Sequence, residues 1–301
     1  MIMRYSEKVF NALFKLLGLF SKKRAVRISN FLGKILFKVA KKHREIALDN
    51  LTYAFGHEKR PEEIEEIARQ VFINLIQIVF EVSWSLRLDD KDLFKQFKID
   101  GYHHLKKAYE KGRGVLVLTA HLGNWELLSV LAEMYKYPMS VVVRPLDFEP
   151  LDHYIHNLRS RFGGKMIPKQ RSFRKIIRCL DRGEAVYLLM DQNVDWYEGV
   201  FVDFMGHRAC TNKGMALLAL KTGAPVVPVF MIREKSGLRA EFGPEVVTVK
   251  TGDRQKDIEI NTQEYNRVIE NVIRRYPDQW FWIHQRWKTK SYKAWPRKTD
   301  E

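Results

Sequence analysis

Cysteine is almost missing from this chain of 301 residues. Cys179 and Cys210 are the only two, and their spacing fits no metal module; the pattern suits a reduced, cytosolic face. Long apolar runs are missing too. No stretch reaches the ~20 predominantly apolar residues of a membrane span, and the best candidate, Val9 to Phe20, is short and interrupted by Lys15. Peripheral or partly embedded attachment is therefore expected rather than a span. No small-residue cleavage site follows that segment, so it reads as retained and not as a secretory signal. Acid is missing from the first 44 residues, where Glu7 stands alone against twelve bases from Arg4 to Arg44. Internal repeats and low-complexity linkers are absent as well.

What is present is a chain with 46% hydrophobic residues, long enough to bury a sizeable core, and a formal charge of +16. Such a charge calls for an anionic partner: nucleic acid, an acidic protein or an anionic membrane surface. Its distribution narrows the choice. Ile28, Phe31, Leu32, Ile35, Leu36 and Val39 form a stripe at helical spacing, interrupted by Lys34 and Lys38. An apolar stripe with a lysine face is the pattern of a helix lying in a membrane interface. A solvated basic face over the protein's own core is the other reading. At the far end Trp280, Trp282, Trp287 and Trp295 crowd among Arg286, Lys288, Lys290 and Lys293. This mixture suits a headgroup belt or a nucleic-acid stacking surface, while Trp280 and Trp282 on a short strand would equally serve a core.

The periodicity divides the chain into a helical part, residues 1–95, and a part of alternating strands and helices, residues 96–301. After Pro61 the apolar positions Ile64, Ile67, Ala68, Val71, Phe72, Leu75, Ile76, Val79 and Phe80 follow one helix face, a core stripe. Strands are expected near 114–120, 139–144, 185–190 and 225–232, with helices near 125–136, 150–162, 172–182 and 212–222. A further strand is expected over 238–249, and a helix over 262–276 ended by Pro277. Alternation of this kind predicts an α/β fold, a largely parallel mixed sheet flanked by helices, with the N-terminal helices packed on it.

The chemistry concentrates in Gly114-Val-Leu-Val-Leu-Thr-Ala-His121-Leu-Gly-Asn-Trp-Glu126. The pattern of strand, tight turn and helix places His121 at a strand's carboxyl end, where open α/β sheets keep their crevices. Glu126 falls in the first helical turn, near its positive dipole end. A carboxylate that orients an imidazole and stabilises its protonated form is what a general base needs. Asp191 follows the expected strand 185–190 and should project into the same crevice, unless it is a cap.

Four segments then occur in one order: His121-Leu-Gly-Asn-Trp-Glu126, Met190-Asp-Gln192, Phe204-Met-Gly-His-Arg-Ala-Cys-Thr211 and Gln279-Trp-Phe-Trp-Ile-His-Gln-Arg-Trp-Lys288. Together they resemble the lipid A biosynthesis late acyltransferases of the His-x4-Asp/Glu glycerolipid acyltransferase superfamily, from about Asn50 to Lys288. The resemblance implies a membrane-bound α/β enzyme at the cytoplasmic face of the inner membrane, peripheral or monotopic. It implies an acyl carrier protein thioester as donor, a saccharide lipid of the lipid A type as acceptor, and no cofactor or metal. It makes His121 the base and Glu126 its partner, with Asn124, Arg159, Asp191 and Gln192 as substrate-binding or supporting groups. Arg161 competes with Arg159 for its place.

Acyl transfer to a hydroxyl fits these residues, since a neutral imidazole titrates in the range a base requires. A zinc hydrolase built from His121, Glu126, Asp191 and His153 or His156 is a rival, but the chain has no His-Glu-x-x-His pair. A nucleic-acid-binding protein is the other, without a recognisable module; no nucleic-acid partner is expected. Arg171, Arg174, Lys175 and Arg178 form a basic helix face suited either to an acidic carrier protein or to solvent.

Overall fold

The structure is a computed structural model and describes residues 2–145, 149–235 and 237–290. Five helices come first: α1 (Ile2–Leu17), α2 (Lys22–Val39), α3 (Lys41–Phe55), α4 (Pro61–Ser85) and α5 (Asp90–Phe94). The chain continues with β1 (Phe97–Asp100), α6 (Tyr102–Tyr109), β2 (Val115–Thr119), α7 (Leu128–Tyr135), β3 (Met139–Val143), α8 (Glu149–Arg161) and β4 (Gly164–Pro168). It ends with α9 (Phe173–Asp181), β5 (Ala185–Leu189), β6 (Gly199–Phe204), β7 (His207–Asn212), α10 (Gly214–Thr222), β8 (Val226–Glu234), β9 (Gly237–Phe242) and α11 (Arg254–Arg275).

Seven strands form one sheet in the order β1-β9-β8-β2-β5-β3-β4. All neighbours run parallel except β8 and β9, so the sheet is the largely parallel mixed one that the alternation implies. Every residue of β2 is buried, as expected of a central strand covered on both faces. Leu116 and Leu118 point to a layer shared with Val186, Ile176, Ala216, Ile269 and the C-terminal tryptophans. Val115 and Val117 point to the opposite layer with Leu105, Leu131, Tyr187 and Val229.

Several elements depart from the sequence reading. Strands β1 and β4 are short edges whose four and five residues carry little periodicity. Residues 199–212 form a separate antiparallel hairpin, β6 with β7, so the following helix starts at Gly214 rather than 212. The strand expected over 238–249 stops at Phe242, and beyond it Val246 makes an isolated bridge to Val226. Helix α11 begins at Arg254, because Asp253 caps it by accepting from the N–H groups of Gln255 (2.9 Å) and Lys256 (3.2 Å).

Helix α4 ties the helical part to the sheet. Its Ala68, Val71 and Phe72 join the core. Among the described residues it is long and apolar enough to cross a membrane, which corrects the reading that no such stretch exists; its buried face and polar partners, described below, make it a core helix. Helix α2 lies on it through Ser29, Gly33 and Phe37. A Cβ on Gly33 would stand 2.5 Å from Ile73 Cα, so only glycine allows this approach. The apolar side chains of Phe31 (66% exposed) and Val39 (66%) are left on the surface.

Candidate active site

Parallel pairing brings the first two functional residues together. Thr119 of β2 stands opposite Leu189 of β5, and Met190 N–H donates to the Thr119 carbonyl at 3.0 Å. The chains leave the sheet in step, so His121 and Asp191, each two residues past that pair, become neighbours. The His121 N–H donates to Asp191 Oδ2 at 3.1 Å, and its ring Nδ1 lies 3.0 Å from Oδ1. Trp280 Nε1 donates to Oδ2 at 2.7 Å.

Asp191 is 1% exposed. Burial pushes its pKa up, but the charge and hydrogen bonds of His121 and the Trp280 donor outweigh that, and the net shift is downward. An ionised carboxylate only accepts, so Nδ1 carries the proton and Nε2 is left as the basic nitrogen. Nε2 has no protein partner among the described residues. The ring, with its side chain 24% exposed, is framed by Trp125 and Phe281 at centroid distances of 5.3 and 6.0 Å.

The loop carrying the motif is held from two sides. Gly123 N–H donates to the Gln279 carbonyl and Asn124 N–H to the Met231 carbonyl, both at 3.0 Å, while Phe281 N–H donates to the His121 carbonyl at 3.0 Å. Gly123 has φ +62°, and a Cβ there would fall 1.8 Å from Met231 O. A side chain at this position is excluded. Asn124 is buried and donates through Nδ2 to Glu81 Oε2 at 2.8 Å. Glu81 in turn holds Arg233 through two bonds of 2.5 and 2.7 Å, and Arg233 reaches Asn74 Oδ1 at 3.1 Å. Gln279 clamps the Arg233 backbone from both sides at 2.8 Å. Asn124 is thus a supporting residue, tied through its side chain to α4. Sequence reasoning missed Glu81, Asn74 and Arg233; the signal available was two polar residues seven apart within the apolar stretch of α4.

Glu126 does not meet the expectation that it holds the His121 ring. It lies in a 3-10 turn, Trp125–Leu127, and its carboxylate accepts from Arg159 Nε (3.0 Å) and Nη2 (2.9 Å) and from Trp125 Nε1 (2.9 Å). The orienting carboxylate on the ring is Asp191, because strand register delivers it to Nδ1 while Glu126 faces α8. The choice between the two arginines also resolves. Arg159 pairs with Glu126, whereas Arg161 donates to the carbonyls of Leu86 (2.6 Å) and Leu88 (3.1 Å) beyond the end of α4. Gln192 is half-buried, with no side-chain hydrogen bond among the described residues.

The next residue anchors the C-terminal segment. Asn193 N–H donates to His284 Nε2 at 2.9 Å, and burial depresses the His284 pKa to about 4, keeping it a neutral acceptor. Arg286 is fully buried, stacked 4.6 Å over Phe204 and donating to Cys210 O at 2.9 Å. Trp280, Trp282 and Trp287 are buried with it, so the surface-belt reading is corrected for them; Trp295 and Lys293 lie outside the described residues. Among the described residues no three His, Cys, Asp or Glu side chains come together as a metal site.

An imidazole held by a buried carboxylate at the carboxyl end of a parallel strand, with Nε2 unpartnered among the described residues, is an arrangement that can accept a proton at Nε2. The chain belongs to the bacterial lipid A biosynthesis acyltransferase family, whose model matches residues 2–289. It is 28% identical to the lipid A biosynthesis palmitoleoyltransferase of Escherichia coli, covering 86% of this chain and 83% of that one. It is 26% identical to a lipid A biosynthesis acyltransferase of Haemophilus influenzae over 88% of this chain and 81% of the relative. A phosphatidylinositol mannoside acyltransferase of Mycolicibacterium smegmatis is also 26% identical, over 66% and 65% of the two chains.

Proposed function

We propose that this acyltransferase moves a fatty acyl chain from an acyl carrier protein thioester to a hydroxyl of a lipid A-type saccharide lipid, at the cytoplasmic face of the inner membrane. The observation that carries the mechanism is the His121–Asp191 pair with Nε2 left unpartnered. Nε2 takes the proton of the acceptor hydroxyl as its oxygen attacks the thioester carbonyl. The tetrahedral intermediate collapses by expelling the thiolate, which recovers the proton from the imidazolium. Asp191 stabilises that imidazolium and holds the tautomer. Glu126 acts indirectly, fixing Arg159 beside the turn. That carboxylate occupies one edge of the guanidinium, through Nε and Nη2, which leaves Nη1, unpartnered among the described residues, for substrate. Neither cysteine is used; both are buried.

Support for the membrane comes from the exposed apolar residues of α1 and α2, and for an acidic carrier from the exposed Arg171, Arg174, Lys175 and Arg178 on and before α9. The likeness to a phosphatidylinositol mannoside acyltransferase favours, as a second reading, another glycolipid acceptor. Mass spectrometry of membrane lipids from cells with and without this protein tests the acceptor: a saccharide lipid lacking one secondary acyl chain in its absence is expected, and an unchanged saccharide-lipid profile overturns it. Kinetics with carrier-protein and coenzyme A thioesters test the donor. A preference for the coenzyme A thioester would overturn that assignment.

A further inference from the structure

A second cleft lies away from His121. It is walled by Leu17, Phe20, Val26, Phe80, Trp84 and Leu238, from α1, α2, α4 and β9 and the α1–α2 connection, and holds about 160 Å³ of cavity with one open side. That admits part of one alkyl chain rather than a whole drug-sized ligand. Two polar groups lining it have no use within the fold. Ser29 is fully buried, and its hydroxyl has no partner among the described residues. Gln77 is half-buried and makes no side-chain hydrogen bond among them. A buried hydroxyl without a partner costs roughly 1–3 kcal/mol, so a ligand that accepts from it is favoured.

Charge and position say what that ligand is. Lys22 lines the cleft, bonded to Gln96 at 2.8 Å and 4.8 Å over the Trp84 ring, and Lys235 lines it exposed to solvent. The two carboxylates present are already neutralised, Glu81 by Arg233 and Glu234 by Arg239 and Lys98. The free charge of the cleft is therefore positive. Val26 is itself exposed (47%), as are Val9, Leu13 and Leu16 of α1 and Phe31, Ile35 and Val39 of α2. An alkyl chain passing from an apolar phase would meet these side chains first.

We propose that this cleft binds one ester-linked acyl chain of an anionic membrane lipid, with the chain against Phe20, Phe80 and Trp84, the ester carbonyl accepting from Ser29, and the headgroup beside Lys22 and Lys235. Its wall includes Glu81 and Arg233, the pair that holds Asn124 of the motif loop. Occupancy by lipid therefore stiffens the support under His121 whenever the protein is seated on a membrane. The site is separate from the catalytic cleft, since neither His121 nor Asp191 lines it.

The test is calorimetric binding to the full chain of lauroyl lysophosphatidylglycerol and, for comparison, lauroyl lysophosphatidylcholine, both below their micellar concentrations. Saturable binding is expected, tighter for the anionic probe. Ala25→Phe, which fills the cleft, should weaken both probes at least tenfold. Lys22→Ala with Lys235→Ala should weaken the anionic probe about three- to tenfold and leave the zwitterionic one unchanged. Affinity unaffected by either variant overturns the proposal. So does competition between the lysolipid and an acyl thioester donor together with an altered transferred chain length in Ala25→Phe, which would make the cleft the donor's chain pocket. Should Ala25→Phe not fold, the lysine pair decides alone. Binding is read directly, so the outcome is independent of whether the acyl-transfer reading holds.

Discussion

Residues 9–44 and 280–288 both mix apolar and aromatic side chains with bases, yet the fold treats them in opposite ways. In α1 and α2 the large apolar groups Val9, Leu16, Phe31 and Val39 are each more than half exposed, while Trp280, Trp282 and Trp287 are buried and even Arg286 has no accessible surface. The difference is one of partners. Helix α2 contacts α4 through a narrow ridge of Ser29, Gly33 and Phe37, and the described residues leave Phe31, Leu32, Ile35 and Val39 of its apolar arc exposed. The C-terminal segment runs beside the motif loop, and each indole finds a ring: Trp280 against Trp282 at 4.5 Å and against Phe204 at 5.5 Å. Composition marks a segment as amphipathic; whether it serves a membrane or a core depends on what packs opposite.

The comparison is sharpened first at the catalytic end of the buried segment. His121→Ala should lower acyl transfer by roughly 10²–10⁴ with cooperative unfolding retained; near wild-type turnover by the folded variant would refute the base. Asp191→Asn keeps the shape but removes the charge that fixes the ring, so kcat should fall by a comparable factor. Trp280→Phe, which deletes only the indole donor to Asp191, should cost less than either. A steeper loss in Glu126→Ala than in Asp191→Asn would return the orienting role to Glu126.

Stability separates the two segments next. Trp282→Ala should destabilise by about 3–5 kcal/mol in urea unfolding, whereas Phe31→Ala should stay within about 0.5 kcal/mol. Equal costs would place Phe31 in an interface that the isolated fold does not contain. For attachment the order reverses. Phe31→Asp with Val39→Asp should reduce cosedimentation with anionic vesicles several-fold, high salt only partly, because salt screens the bases and not the apolar area. Complete release by salt alone would break the comparison.

A further contrast is in pH. Burial depresses the His284 pKa from 6.5 to about 4, so between those values the unfolded chain takes up a proton that the folded one does not. Stability should decline as pH falls from about 6.5 towards 4. His284→Gln, which can still accept from Asn193, should flatten the Tm profile over that window. Asp191, whose pKa is lowered, contributes the same sign of dependence only below the ordinary carboxylate range, and so adds little inside this window.

Much of this molecule is written in local pattern. Short apolar runs mark β2, β3, β5 and β8, and a strand running into His121 places that residue at a carboxyl end, because pleat and helix periods are properties of the chain itself. Edge strands such as β1 and β4 escape that reading, since Phe97-Lys-Ile-Asp100 and Gly164-Lys-Met-Ile-Pro168 contain no continuous apolar run and their pairing is supplied by neighbours. The site divides in the same way. His121 and Asp191 are legible as strand-end residues, but which carboxylate meets Nδ1 is a question of register between β2 and β5, strands 70 residues apart. Spacing along the chain favours Glu126, five residues from His121; only the assembled sheet sets Asp191 beside the ring and turns Glu126 to Arg159. The Glu81–Arg233–Asn124 support is further from sequence still, joining a helix, a strand end and a turn through hydrogen bonds that exist only once all three are packed.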